Sequence, residues 1–366
     1  MDDLVVGTPR SHMWQGDRPL GNDRRLPAAR VQTGDGGVAE QTGALSESAF
    51  VDRAGQYHRE LHVHCYRMLA SFDEAEDALQ ETLLRAWRGR ATLQGPKGLR
   101  PWLYRIATNV CLDALRDRKR RVSSLPSLAE VAWLQPYPDR LLDEAAPSGA
   151  EPEAALVARE TIELTFLAII QLLPPRQRAA LILCDVLDWP ARDVASLLST
   201  SAAAVNSALQ RARTTMRGHR PERRSDRTPS QPSAGQPSAA ELELLGRYMA
   251  AHERGWDLPE LVAQDVRLTM PPLPHCYRGW PALRPLTEIA NGMGDWRLIP
   301  TSANRLPAAA CYLRRRGEAA FHAHKLDVLR IENGVIAEFT TFGVGLFGPA
   351  AFSGFDLPTT LEVIGK

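Results

Sequence analysis

At 366 residues, with a formal net charge of +1 from 44 basic and 43 acidic side chains, the chain is too long for one ordinary domain and is not a uniformly basic DNA-coating protein. Five cysteines, Cys65, Cys111, Cys184, Cys276 and Cys311, lie far apart, form no C-x-x-C pair and leave an odd count, which argues against a disulfide framework or zinc module and for a reducing compartment. No stretch approaches the roughly 18 apolar residues that span a bilayer, and the polar N-terminus lacks a signal-peptide pattern, so a soluble cytoplasmic chain without a membrane contact is expected.

Residues 1–45, rich in Gly, Asp, Arg and Thr without a period, read as a disordered N-terminal tail. Residues 46–121 are helical in pattern. Between Asp73 and Trp87 the residues Ala75, Leu79, Leu83 and Trp87 recur at spacing four as a buried stripe. Asp77, Gln80 and Glu81 then project beside Leu84, a mixed face that suits either solvent or a partner helix. A second helix is expected from Pro101, with Leu103, Ile106, Ala107, Val110 and Ala114 inward and Arg105, Asn109, Leu112 and Arg116 on another side. Arg116, Arg118, Lys119, Arg120 and Arg121 concentrate charge able to neutralise phosphates, and Trp102 and Tyr104 are aromatic surface of the kind that stacks on unpaired bases. Basic helix ends and packed aromatics are also ordinary in bundles.

Residues 122–155, with five prolines, read as a linker, and 156–217 as a second helical unit. There Leu173-Pro174-Pro175 opens a helix, Val194, Leu197 and Leu198 mark a second, and Ser199-Thr200-Ser201 separates it from a third over about 202–217. So short a turn fits a helix-turn-helix, though three amphipathic helices suit a generic bundle equally. In the third helix Val205, Leu209, Ala212 and Met216 form the inward stripe, leaving Asn206, Ser207, Gln210, Arg211, Thr214 and Arg217 to face a ligand. Residues 218–239, rich in Pro, Ser, Gln and Arg, form a flexible linker. The unit over 240–350 opens with a helix carrying Leu244, Leu245, Tyr248, Met249 and Ala251. It continues with strands near 266–270, 296–302, 308–314, 321–331 and 335–342, the last two joined by a tight turn at Asn333-Gly334, and 351–366 form a C-terminal tail.

The segments His64–Met68, Asp73–Trp87 and Trp102–Asn109 resemble region 2 of the extracytoplasmic-function group of the sigma-70 family of RNA polymerase sigma factors, and Leu173–Arg178 with Val205–Arg213 resembles region 4. The resemblance implies that Asp77, Gln80, Glu81 and Leu84 bind the β′ clamp helices of core polymerase. It likewise assigns Trp102, Arg105, Asn109, Asp113, Arg116, Arg118, Lys119 and Arg120 to recognition and melting of the −10 promoter element. Region 4 is implied to meet the β flap and to read the −35 element through Ser201, Val205, Asn206, Ser207, Gln210, Arg211 and Arg213. The last unit resembles the SnoaL-like fold, a cone-shaped α+β barrel, and the whole chain is similar to the actinobacterial sigma factor G type. Trp133-Leu134-Gln135-Pro136 is similar to a Trp-Leu-x-Pro linker motif of that subgroup, departing from it at Gln135-Pro136.

The expected fold is therefore multidomain, two all-α sigma domains followed by an α+β domain that tunes activity by touching the sigma core. No cofactor or metal is expected: His62, His64 and Cys65 fall within ordinary family positions, and an anti-sigma partner is left open. Nor is an enzyme, because strict strand alternation puts His322 and His324 on one face and Asp327 on the other. The alternative is a stand-alone helix-turn-helix regulator with a ligand-sensing domain.

Overall fold

The computed structural model describes residues 46–93, 98–121, 134–145, 162–219, 237–255, 258–347, 352 and 354–362. The expected N-terminal tail, most of the two linkers and Trp133 lie outside them.

Four helices form the first unit: α1 (Glu47–Gly55), α2 (His58–Leu69), α3 (Phe72–Gly89) and α4 (Leu99–Arg121). Ala70, at φ 57°, ends α2 in the left-handed region, and Ser71 then accepts from the Glu74 N–H at 3.2 Å to start α3. Two residues thus reverse the chain. Leu79, Leu103, Ala107 and Cys111 are fully buried where these helices meet.

A short helix α5 (Asp139–Ala145) precedes the second helical unit, α6 (Leu164–Gln171), α7 (Pro175–Leu181), α8 (Ala191–Leu197) and α9 (Ala202–His219). Pro175 and Pro190 fix the starts of α7 and α8, where a missing N–H costs nothing. Ser199 at φ 51° and the Ser201 cap, whose Oγ accepts from Ala204 N at 3.1 Å, make the sharp turn between α8 and α9.

The third unit begins with α10 (Ala239–Glu253), started by a capping box in which Ser238 and Glu241 satisfy each other's backbone. A mixed sheet follows, built from β1 (Val262–Met270), β2 (Leu273–Arg278), β3 (Asp295–Ala303), β4 (Leu306–Arg314), β5 (Ala320–Glu332), β6 (Val335–Gly343) and β7 (Thr360–Glu362), with α11 (Trp280–Met293) between β2 and β3 and a single turn, α12 (Val344–Phe347), after β6. The order is β2-β1-β6-β5-β4-β3, β1 running parallel to β6, and β7 pairs with β5. The domain therefore continues past residue 350 into the expected tail, where Phe352 is buried. Asn333 and Gly334 both have positive φ, the expected two-residue turn.

One face of the sheet packs against α10 and α11 through Tyr248, Leu283, Trp296 and Phe339. The other face, with Ala308, Ala310, Tyr312, Leu326, Val328 and Phe342, joins the same apolar core as the sigma-like helices. Burial on both faces explains why β4 is an unbroken apolar run, Pro307 to Leu313, rather than an alternating one.

A bulge in β5 overturns the expected placement of its polar side chains. Cys311 pairs with Lys325 but Tyr312 with Ala323, so His324 is an extra residue. The alternation slips by one there, and His324, whose ring lies 5.3 Å from Trp296, comes to the same face as Asp327.

Candidate functional site

Three groups of residues carry the expected function. On α3, Asp77 and Gln80 are exposed, Glu81 is half-buried and Leu84 is 42 % exposed, while Ala75 and Leu79 are buried beneath them. The stripe and the mixed face fall where the periodicity put them. Arg85 bonds Glu81 at 2.6 Å and reaches Asp113 on α4 at 3.4 Å, and Asp113 holds Arg116 at 2.9 Å.

On α4, Arg105, Asn109 and Arg116 are exposed and share one side; the side chains of Arg118, Lys119 and Arg120 lie outside the described part. The two aromatics are not base-stacking surface in this conformation. Tyr104 is buried, its ring 5.0 Å from His64 and 5.1 Å from Trp189 of the region-4-like unit, and the half-buried Trp102 packs edge-on to Phe50 at 6.4 Å. Both rings fill space between helices, the commoner fate of an aromatic on a short amphipathic helix.

The cap Ser201 and, on α9, Asn206, Ser207, Gln210, Arg211 and Arg213 are exposed. Val205, expected among the DNA-facing residues, is 1 % exposed and belongs to the inward stripe with Leu209 and Ala212. Arg213 is engaged by Asp185 through bonds of 2.6 and 2.9 Å.

A fourth group was not foreseen in its detail. The segment Leu134–Asp139 is wedged between α2, α3 and the β3–β4 turn. Gln135 bonds the Ala70 carbonyl through its N–H (3.0 Å), accepts from Tyr66 OH on its carbonyl (2.7 Å), and its Oε1 accepts from Ser71 Oγ and Asp73 N, both at 2.9 Å. Tyr137 is buried among Tyr66, Phe72 and His62, with its hydroxyl 2.6 Å from His62 Nδ1. Across from it the two-residue turn Asn304-Arg305 has φ of 55° and 62° and no glycine. Asn304 exchanges backbone and side-chain bonds with Tyr137 (2.9 and 2.8 Å), while its Nδ2 donates to Tyr66 OH at 2.9 Å and to the Ile162 carbonyl at 2.8 Å. Arg305 N donates to Asp139 Oδ1 at 2.7 Å, and its guanidinium pairs with Asp143. One asparagine thus joins the first helical unit, the linker and the approach to α6.

The first two helical units are tied directly as well. Arg178 of α7, 3 % exposed, donates to Met68 O of α2 at 2.5 Å and to Gln171 O at 2.8 Å and Leu173 O at 3.2 Å, carbonyls that the ends of α2 and α6 leave without helical partners.

Burial holds His62 down to about 4, Glu76 opposing and His58 and Arg59 assisting, and His64, fully enclosed and close to Arg67, down to about 3. Burial raises Asp139 to about 6 against the pull of Arg305. Below pH 6.5 the unfolded chain takes up protons that the folded histidines refuse, so their stabilisation is complete above 6.5 and is lost as pH falls toward 4 and 3. Asp139 acts oppositely, gaining its proton in the fold as pH drops through 6. The histidines, with buried His252 adding in the same direction, outweigh one carboxyl: denaturant unfolding at pH 5 is expected to give a stability lower by at least about 2 kcal/mol than that at pH 7.

A further polar cluster lies inside the C-terminal domain. Asp327, 1 % exposed, accepts from Tyr248 OH and Lys325 Nζ on Oδ2, both at 2.6 Å, from Cys311 Sγ on the same oxygen at 3.3 Å, and from Thr341 Oγ1 on Oδ1 at 2.6 Å. Burial alone would raise this carboxyl, but Lys325 and His252 hold it at about 2.

Comparison with known proteins assigns the two helical units to families. The Sigma-70 region 2 family model matches residues 54–121 and the Sigma-70, region 4 model residues 163–216. The chain is 40 % identical over 327 residues to the ECF RNA polymerase sigma factor SigG of Mycobacterium tuberculosis, covering 83 % of each chain. It is 29 % identical over 171 residues to SigW of Bacillus subtilis, covering 47 % of this chain and 88 % of that one. Among solved structures, the M. tuberculosis sigma factor SigJ aligns with a TM-score of 0.55 at 21 % identity, over 84 % of this chain and 99 % of that one, a likeness of fold that includes the C-terminal sheet domain.

Proposed function

Because the chain belongs to the extracytoplasmic-function group of RNA polymerase sigma factors, non-enzymatic subunits of transcription initiation, we propose that its C-terminal domain governs when the two promoter readers separate. Core docking is assigned to Asp77, Gln80, Glu81 and Leu84 against the β′ clamp helices, with the region 4 unit toward the β flap. The −10 element is assigned to Arg105, Asn109, Asp113 and Arg116 with the basic end of α4, and the −35 element to Ser201, Asn206, Ser207, Gln210, Arg211 and Arg213.

The observation that carries the regulatory reading is the triple attachment of Asn304 to Tyr66, Tyr137 and Ile162. Centres of the −10 and −35 elements are about 85 Å apart along straight B-DNA at roughly 3.4 Å per base pair. A compact body of the size of residues 46–217 measures only about 40 Å across by size scaling. Regions 2 and 4 here share one apolar core. They must part to read both elements, and the β3–β4 turn braces the linker that would have to yield.

The docking assignment is tested by pull-down of sigma-free core polymerase with the full chain and with an Asp77→Ala, Glu81→Ala double variant. Two interface truncations at roughly 1 kcal/mol each should weaken binding by about 30-fold. An affinity equal to that of the unmodified chain would remove α3 from the interface.

A further inference from the structure

His252 from α10, Cys311 from β4 and Asp327 from β5 come from three separate elements, all are buried, and their ligand atoms lie within 4.8 Å of one another. Their spacing in the sequence, 59 and 16 residues, matches no short metal motif, so only the fold reveals the set. We propose that this cluster is a binding site for a divalent transition metal ion of the zinc, iron(II) or cobalt(II) class, held in an unloaded state by the ammonium of Lys325.

The chemistry of the donors selects the class of ion. A thiolate, an imidazole and a carboxylate suit borderline metals, whereas magnesium and calcium take oxygen sets. One donor pair already stands at the spacing of a loaded site. Tetrahedral coordination with metal–sulfur and metal–oxygen bonds of about 2.3 and 2.0 Å places those two donors about 3.5 Å apart; Cys311 Sγ and Asp327 Oδ2 are 3.3 Å apart. Around the donors stands the outer support that ligands need. Thr341 Oγ1 occupies Oδ1 of the carboxylate and so directs Oδ2 to the cluster centre, and Trp296 fixes the His252 ring edge-on at 5.0 Å.

Lys325 marks the position of a cation. Its Nζ stands 2.6 Å from the same Oδ2, its side chain is 11 % exposed, and the β5 bulge sets it beside His324 at the rim of the cluster. The pair with Asp327 neutralises the buried carboxylate while no metal is bound. On loading, the Cys311 thiol loses its proton to solvent as the sulfur–metal bond forms. The carboxylate exchanges Lys325 for the metal while Oδ2 keeps its bond from the Tyr248 hydroxyl, and the ammonium, still protonated, swings out on its four-carbon stem. One metal dication with one thiolate and one carboxylate leaves the interior neutral before and after. Three protein donors leave a fourth position open for water or a small ligand.

Cobalt(II) titrated into the full chain tests the site. One equivalent should bind with an intense near-ultraviolet thiolate-to-cobalt band and tetrahedral visible absorption. Cys311→Ser should lose the band, Thr341→Val should weaken binding roughly tenfold by freeing the carboxylate, and Lys325→Met should strengthen binding by roughly tenfold or more through loss of the competing charge. The last two variants keep all three donors, so the opposite ordering of their affinities is readable even if Cys311→Ser fails to fold. Absence of the band in both the unmodified chain and Lys325→Met at saturating cobalt would overturn the proposal. So would a band that persists in folded Cys311→Ser, because the cobalt would then sit on another cysteine.

Discussion

Replacing Asn304 by Ala is expected to loosen the linker from the C-terminal domain by about 3–5 kcal/mol and to raise open-complex formation on promoter DNA. The side chain makes three bonds at this junction, and its loss leaves the Tyr137 N–H and the Ile162 carbonyl buried without them. Each stranded backbone group costs roughly 1–3 kcal/mol. A further 1 kcal/mol or so comes from holding Ala at φ 55°, a region Asn tolerates better. Hydrogen exchange over residues 134–145, measured beside transcription from the same preparation, reads both effects. Faster exchange with unchanged transcription would separate the contact from regulation; unchanged exchange would mean that the turn does not brace the linker. Asn304→Asp, which keeps the acceptor and the backbone preference but turns a buried carboxylate oxygen on the Ile162 carbonyl, should loosen the junction at least as much as Asn304→Ala.

Arg178→Met should lower stability by a similar amount, about 3–5 kcal/mol, which for a chain of this size shifts the melting temperature by roughly 5 °C. Its guanidinium satisfies carbonyls at the C-terminal ends of two helices, α2 and α6, where a cation is also favoured by the aligned peptide dipoles. Met fills the volume without a donor and strands three carbonyls. Lysine restores the charge but not the planar fork, so Arg178→Lys should recover only part of the loss. A melting temperature within a degree of the parent would show that water reaches those carbonyls and that regions 2 and 4 are not joined there.

The helical units were readable because their signals are local. Spacing of four on α3, the Pro-initiated helix at α7 and the alternating start of β3 all report period and punctuation within a few turns of chain. Both sides of α9 could also be assigned, yet Val205 was counted with the DNA-facing set through resemblance although its own periodicity already turned it inward. Tyr104 and Trp102 were given to bases because nothing in the sequence states that Trp189, some 85 residues onward, packs against α4. The bulge at His324 was invisible for a different reason: it depends on register with β4, and a strand read alone shows strict alternation. Likewise Asn304-Arg305 lacks the glycine that advertises a two-residue turn, and Gln135 proves to be the most heavily bonded residue of its segment.

The junction at Asn304 lies 167 residues beyond Tyr137 in the chain, and that separation sets an order of events during synthesis. At roughly 5–20 residues per second, the ribosome needs about 8–33 s to travel from the linker to the turn that braces it. Region 4 ends at residue 216, so for about the last half of that interval, the 88 residues from there to Asn304, both units are complete while their brace has yet to be made. Each newborn molecule therefore passes through a brief period in which its promoter readers are held by the Arg178 bonds and their shared core without the brace, and the length of that period follows from chain order and elongation speed.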